Sequence, residues 1–327
     1  MSAYKYNYIF YNFDYEYYDY ITKPLSDLDN VCIRKKGIDG GFIKKRLFFY
    51  HWSNKVNSII RLPLKKMWFS QLVKSPFNNN KPTCYVFYSG KYINDSDELR
   101  NYILRQNPDN RCLIYCGDLI SKKGWDVEKV KRGCDAIVTY DPGEAEEYGV
   151  YCYDKPVFGR IEPLVITDSF DYDVYFLGMA KDRLPKIHEV YKKLSSAGMR
   201  CKFIICGTKP FERTLEGIDY SDPIPYSENI EYVQKSKCII EIIQGGSNTS
   251  TLRREEAMVY KRKLITDYSD LKKTDYYNPG YMSIFSNPEE IDIDFIKKPI
   301  DYSLFKSDEE LSPIKLLDFF EKILSGE

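Results

Sequence analysis

Short apolar runs alternate with amphipathic stretches along the whole chain. In the first half, residues 6–12 (YNYIFYN), 84–88 (CYVFY), 112–116 (CLIYC) and 136–140 (AIVTY) are brief, rich in branched and aromatic side chains and bounded by polar or glycine punctuation, which predicts buried strands. Between them, 95–106 sets Leu99, Tyr102 and Ile103 at helical spacing. A helix is predicted from 141: Asp141 suits the N-cap, Pro142 the first helical position, and Glu144 stands three after the cap. That gives Asp141 a structural role. Pro156, Gly159 and Pro163 interrupt the pattern over 154–171, as in a linker. The alternation then restarts. Strands are expected at 174–178, 201–207, 238–243, 263–266 and 281–285, and helices at 182–196, 229–236, 249–260 and 313–324. No repeat of 20–50 residues and no low-complexity tract interrupts it.

Alternating strands and helices predict α/β architecture, with parallel sheets covered on both faces. Two similar halves around a Pro/Gly linker predict two Rossmann-like doubly wound domains facing across a cleft. The expected divisions are a domain over 1–155, a linker over 156–171, a domain over 172–300, and a tail helix within 301–327 packing across both. Ligands of such sheets bind outside the carboxyl ends of the strands, which puts Gly178, Gly207 and Gly245 on the ligand side of the second domain.

Composition narrows the class. The 327 residues are 43% apolar and 29% charged, fractions of a globular chain rather than a disordered one. No run approaches the ~18 apolar residues of a spanning helix. The opening MSAYKYNYIFYNFDYE lacks the form of a secretory signal. The nine cysteines carry no C-x-x-C spacing and mostly lie in apolar runs, as buried thiols of a cytoplasmic protein do. Formal net charge is zero, yet 31–81 holds twelve Lys or Arg and one acid, Asp39: +11 against −11 for the remainder. Phe48, Phe49, Tyr50, Trp52, Trp68 and Phe69 interleave with these bases. Such a stretch suits an anionic membrane surface, a phosphorylated ligand or nucleic acid. RNA-binding and zinc-finger signatures are missing, so nucleic acid is not an expected partner, whereas peripheral contact of 42–74 with the inner face of the cell membrane is.

The candidate chemistry concentrates in 238–266, CIIEIIQGGSNTSTLRREEAMVYKRKLIT. A strand meets Gly245-Gly246, then small hydroxyl residues, then a helix. Thr249, Ser250 and Thr251 stand where unpaired amides and the helix dipole favour an anion, a diphosphate cradle without Walker-A spacing. Ordinary capping by Asn248, Thr249 or Ser250 explains the same residues equally well. Glu256, followed by Ala257 and Met258, separates the two readings. The stretch LRREEAMVYKRKLIT resembles the donor-binding helix of GT-B glycosyltransferases, roughly L-x-E-A-M-x-x-x-x-P-V-I-x-T after a glycine turn. The resemblance implies that Glu256 binds the ribose of a nucleotide donor. It also implies that the turn at Gly246 and the helix start at Thr249, Ser250 and Thr251 bind the diphosphate, that Gly178 admits the donor, and that Lys181 and Arg183 offset phosphate charge.

Glu228 to Ser236 and Ile240 to Gly245 are further similar to E-N-[IL]-x-Y-V-x-x-S and I-x-E-I-x-Q-x-G stretches of a bacterial group associated with lipopolysaccharide or capsule synthesis. The resemblance is fullest over 172–285 and looser over 1–150, the acceptor-binding part in such enzymes. Retaining members carry a glutamate eight residues before the helical one, where this chain has Asn248. That departure favours inversion, which needs a general base. Asp14, Asp39, His51 and Asp118 are the candidates; Asp39, in a glycine-rich loop, and Asp118, after a predicted strand, are preferred.

The expectation is therefore a metal-independent hexosyltransferase. It would use a nucleotide-diphosphate sugar, UDP-linked by preference, as substrate rather than cofactor, and pass the hexose to a surface polysaccharide or lipid-linked oligosaccharide. Two alternatives stand beside it: a non-catalytic nucleotide- or glycan-binding partner, and a GT-A transferase using one of four D-x-D tripeptides, at 27, 95, 171 and 292. His51 and His188 lack zinc spacing, and neither G-x-S-x-G nor G-x-G-x-x-G occurs.

Overall fold

The computed structural model describes the chain except residues 1–3, 12–14, 36, 37, 39, 58, 61, 89–95, 246–250 and 327, and the side chains of 54, 55 and 96. It divides into two compact units, 1–155 with 313–327, and 156–312.

The first unit is built on a six-stranded parallel sheet ordered β2-β1-β3-β4-β5-β6. Its strands are β1 (Asn7–Tyr11), β2 (Val31–Arg34), β3 (Thr83–Tyr88), β4 (Arg111–Tyr115), β5 (Ala136–Thr139) and β6 (Tyr151–Cys152). Its helices are α1 (Tyr18–Ser26), α2 (Phe42–Trp52), α3 (Asn54–Asn57), α4 (Phe69–Leu72), α5 (Ser96–Gln106), α6 (Val127–Arg132) and α7 (Pro142–Tyr148). Every residue of β1 and β3 is buried, as central strands covered on both faces must be. The α7 start follows the expected cap: Asp141 Oδ1 accepts from the Glu144 amide at 2.9 Å.

The second unit repeats the plan with the order β12-β11-β10-β7-β8-β9, again all parallel. Its strands are β7 (Tyr172–Met179), β8 (Cys201–Cys206), β9 (Ile218–Ser221), β10 (Ser236–Glu241), β11 (Lys263–Thr266) and β12 (Met282–Ile284). Its helices are α8 (Leu184–Ser196), α9 (Tyr226–Lys235), α10 (Leu252–Val259) and α11 (Ile293–Lys297). Ile187, Val190 and Leu194 of α8 and the inward residues of β7, β8 and β10 form one core.

Three strands differ from expectation. β2 (VCIR), β6 (two residues) and β9 (IDYS) are edge or near-edge strands whose mixed polarity leaves no apolar run to read. The closing helix α12 (Ile314–Ser325) groups with the first unit. Phe320 is fully buried against the rings of Tyr8, Phe10 and Tyr115, and Glu321 Oε1 accepts from the Tyr6 amide and the Tyr8 hydroxyl. The stretch expected as a linker is fastened to the second unit. Phe158 is buried, the Tyr260 hydroxyl donates to Glu162 Oε2 at 2.7 Å, and the buried Arg262 guanidinium donates to the carbonyls of Val165, Val233 and Gln234. Burial pushes that guanidinium down to about 10. Replacing it leaves four carbonyls, that of Lys261 included, without this donor, so Arg262→Ala should lower the unfolding free energy by about 3 kcal/mol in urea denaturation. A loss below about 1 kcal/mol would mean that water serves those carbonyls equally well.

Candidate functional site at the strand reversal of the second unit

Chain order along the second sheet reverses beside β7: β8 and β9 lie on one side of it, β10, β11 and β12 on the other. In an open α/β sheet the crevice outside the carboxyl ends of the two strands flanking such a reversal is where ligands sit. The β7 and β10 carboxyl ends are Met179 and Glu241, and α8 and α10 each follow one of them, so both helices turn their amino ends to this edge.

A buried carboxylate organises it. Glu241, 1% exposed, accepts from the Thr251 amide at 2.5 Å and hydroxyl at 2.8 Å through Oε1, and from the Thr266 hydroxyl at 2.6 Å through Oε2. One side chain thus joins the ends of β10 and β11 to the first residue before α10. Thr251 caps α10 in turn, its Oγ1 accepting from the Arg253 amide. A second clamp lies between β7 and β10. Arg183 donates from Nε to the Met179 carbonyl at 3.1 Å and from Nη1 to the Ile242 carbonyl. Burial lowers the affinity of this guanidinium for its proton, and Asp267 and Asp182 oppose that shift. Asp267 accepts from the Ile243 amide at 2.7 Å and from Lys186 Nζ at 2.8 Å, and Asp182 accepts from the Gly245 amide at 3.3 Å. Lys181 is exposed, its backbone in the left-handed region at φ 46°, and its Nζ donates to Gln244 at 2.8 Å.

Behind this edge lies a buried polar network. Glu256 is fully buried; Oε1 accepts from the Tyr226 hydroxyl at 2.7 Å and Asn229 Nδ2 at 3.0 Å, and Oε2 lies 2.7 Å from Arg253 Nη1. Asn229 Oδ1 accepts from Arg253 at 2.6 Å and from the Tyr175 hydroxyl at 2.9 Å. Burial raises the Glu256 carboxyl, while Arg253, Tyr226 and Asn229 act against the rise.

The expected donor residues therefore separate by what their atoms are doing. Gly178, Lys181, Arg183 and Thr251 meet at the strand reversal. Gly178 lies under Arg183: a Cβ there would fall 2.9 Å from Nη2 and 3.0 Å from the Phe176 ring, so the glycine makes room for that guanidinium. Thr251 directs both its donors at Glu241. Glu256 faces the interior of the unit, so a ribose hydroxyl would reach its carboxylate only by displacing Tyr226, Asn229 or Arg253. Gly246, Thr249 and Ser250 lie outside the described residues.

Of the candidate bases, Asp39 and Asp14 also lie outside them. Asp118 follows β4 at the carboxyl edge of the first sheet, largely exposed, with Lys123 Nζ 2.7 Å from Oδ2. Its loop is fixed on two sides: the Glu144 carboxylate accepts from the Ile120 and Ser121 amides, and Gly117 has no room for a Cβ beside the Tyr88 hydroxyl. His51 Nδ1 accepts from the indole N–H of Trp68 at 2.9 Å, which gives it a packing role. Among the D-x-D aspartates, Asp173 is at the amino end of β7 with Arg200 at 2.9 Å, and Asp292 caps α11.

Glu241, Tyr226, Asn229 and Asp267 were given no site role from the sequence, although Asn229 and Glu241 fall in the two stretches quoted above. Their signal was present: an acid at the tail of CIIEII and an amide on the apolar face of α9 each require partners once buried.

No family model matches the chain, and no curated protein does. Solved structures do. An α-glucosyltransferase in complex with UDP and a 13-mer DNA containing an HMU base is similar at TM-score 0.55 and 11% identity, over 97% of this chain and 99% of that one. Another α-glucosyltransferase structure, with UDP-glucose and DNA containing an abasic site, gives TM-score 0.53 and 11% identity over 98% and 93%. UDP-GlcNAc 2-epimerase from Neisseria meningitidis bound to UDP-GlcNAc gives 0.53 and 9% over 98% and 99%. The chain has the GT-B fold of two Rossmann-like α/β units. DNA is present in two of these structures, so the fold does not itself exclude a nucleic-acid acceptor, contrary to the expectation above.

The first turn of α10 supplies a pH prediction. Burial raises the Glu255 carboxyl from 4.5 to about 7, against the pull of Arg254. An acid with a raised folded-state value binds more protons folded than unfolded, so stability falls as pH rises through 4.5 to about 7. At 1.36 kcal/mol per unit the loss reaches about 3 kcal/mol. Denaturation midpoints measured across that window should decline in the native chain, and Glu255→Gln should flatten the decline; parallel curves would contradict it.

Proposed function

We propose that the chain is a hexosyltransferase whose second unit binds a uridine diphosphate sugar at the strand reversal, and whose acceptor is a surface glycan or lipid-linked oligosaccharide held by the first unit. The observation carrying the donor assignment is the convergence of two helix amino ends and Lys181 on the β7/β10 crevice. The partial positive charge of those helix ends, with the Lys181 ammonium beside them, suits a diphosphate. The base is assigned as uracil because the three similar structures named above hold UDP, UDP-glucose or UDP-GlcNAc.

The groups divide the work as follows. Lys181 Nζ, exposed on its turn, exchanges its bond to Gln244 for a phosphate oxygen. Gly246, Thr249 and Ser250 supply amides and hydroxyls to the diphosphate. Arg183 and Thr251 act one step back, clamping β7 to β10 and α10 to Glu241. Glu256 holds Arg253 and Tyr226 beneath the nucleoside and reaches ribose after those partners move. Charge developing on the departing diphosphate is stabilised by helix dipoles and cations already in place, without an obligatory metal. Asp118, with Asp39 as the other candidate, takes the proton of the acceptor hydroxyl.

Thermal shift with UDP, GDP and CMP, each with and without EDTA, tests the donor class. UDP should raise the midpoint and EDTA should leave that rise intact. A rise abolished by EDTA, or one given by GDP alone, contradicts the assignment. Lys181→Ala should weaken UDP about tenfold without lowering the midpoint of the free protein. Glu256→Ala strands the Arg253 charge and should cost about 3 kcal/mol of stability as well as affinity.

Product analysis with UDP-hexose then separates transfer from rearrangement, the activity named for the epimerase of this fold. Transfer requires a new glycoside on an acceptor. Asp118→Asn should lower kcat by about 100-fold or more with KM little changed; an unaltered kcat moves the base elsewhere.

A further inference from the structure

One helix of the first unit is apolar on the side that faces water. At about 3.6 residues per turn, Phe48 and Trp52 share one face of α2 and are buried, in contact with the Trp68 and Phe69 rings. Phe42, Ile43, Arg46, Leu47, Phe49 and Tyr50 fill the opposite arc, about 160° wide at 100° per residue, and all six are exposed. Phe42 and Ile43 are 76% and 74% accessible, so they gain nothing from the fold. Arg46 is the one polar member, lying over the Tyr50 ring. Lys44 and Lys45, half-buried, flank the arc on either side.

The segment that follows adds to the same character. Ile59, Ile60, Leu64 and Met67 are exposed, and Leu64 holds a left-handed backbone at φ 64°, a conformation that costs a branched side chain about 1 kcal/mol or more. In sequence, 42–74 contains eight Lys or Arg and no acid.

We infer that this face of the first unit docks on an anionic lipid bilayer, with the outer arc of α2 and Ile59, Ile60, Leu64 and Met67 at headgroup depth and the flanking cations against lipid phosphates. The chemistry selects that partner. Aliphatic chains such as Ile43, Leu47 and Ile60 have no role in gripping a nucleic-acid backbone, whereas apolar side chains and rings bordered by lysines match the interface of a membrane. An all-cationic flank is complementary to acidic headgroups and repels a second copy of itself. The inference is independent of the donor site.

Flotation of the full chain with vesicles tests it. Vesicles of phosphatidylcholine with phosphatidylglycerol should carry the protein up the gradient, vesicles of phosphatidylcholine alone should carry much less, and added salt should weaken the former. The triple variant Phe42→Ser, Ile43→Ser, Leu47→Ser removes only exposed groups, so its melting midpoint should be unchanged while its partitioning falls about tenfold or more. Lys45→Glu with Arg46→Glu should lose the preference for acidic vesicles. No flotation of the native chain, or equal flotation of the triple variant, overturns the inference. Binding to a DNA duplex without vesicle binding assigns the face to nucleic acid instead. A native dimer that the triple variant converts to monomer, again without vesicle binding, assigns it to self-association.

Discussion

A carboxylate taken out of water must be surrounded by donors, and in the second unit Glu241 meets that demand by drawing three structural elements together. Its oxygens receive the amide and hydroxyl of Thr251 and the hydroxyl of Thr266. Any rearrangement that separates the ends of β10 and β11 from the start of α10 leaves a charged group buried with too few partners, a penalty of several kcal/mol. The α10 amino end is therefore held by a few charge-assisted bonds. Arg183 does the same between β7 and β10, with guanidinium and carbonyls in place of carboxylate and hydroxyls. A site meant to stabilise a diphosphate benefits from such rigidity, because amides fixed in advance need no reorganisation when charge arrives.

Much of the fold was legible in the chain because central parallel strands bury both faces. NYIFY, TCYVFY and SKCIIE can be read as strands without knowing their neighbours. The edges were not legible: VCIR and IDYS present one face to water and carry charge, so nothing in their pattern distinguishes them from loop. The placement of α12 was hidden for a different reason. Its apolar stripe of Leu316, Leu317 and Phe320 announces burial but does not name the surface that receives it, and the receiving rings of Tyr8, Phe10 and Tyr115 lie some 200 to 300 residues earlier in the chain.

The sequence places several candidate residues at one edge of the sheet without showing how their atoms are engaged. Gly178, Lys181, Arg183 and Thr251 do collect at the strand reversal, since glycine-terminated strands and the residues after them fall at one edge of any parallel sheet. What a motif cannot reveal is which atoms are already committed. Thr251 looked like a free hydroxyl and serves Glu241. Glu256 looked like a ligand and faces Tyr226, Asn229 and Arg253. Those commitments depend on an amide in α9 and a carboxylate in β10, side chains that a motif centred on α10 leaves out.

The central claim is that a nucleoside diphosphate occupies the crevice at the ends of β7 and β10. Amide hydrogen exchange of the full chain, with and without saturating UDP, addresses it most directly, because backbone amides are the groups said to hold the phosphates. The account predicts slowed exchange concentrated in residues 178–186 and 242–254. Protection confined to the first unit, or none at a concentration that raises the melting midpoint, would contradict it.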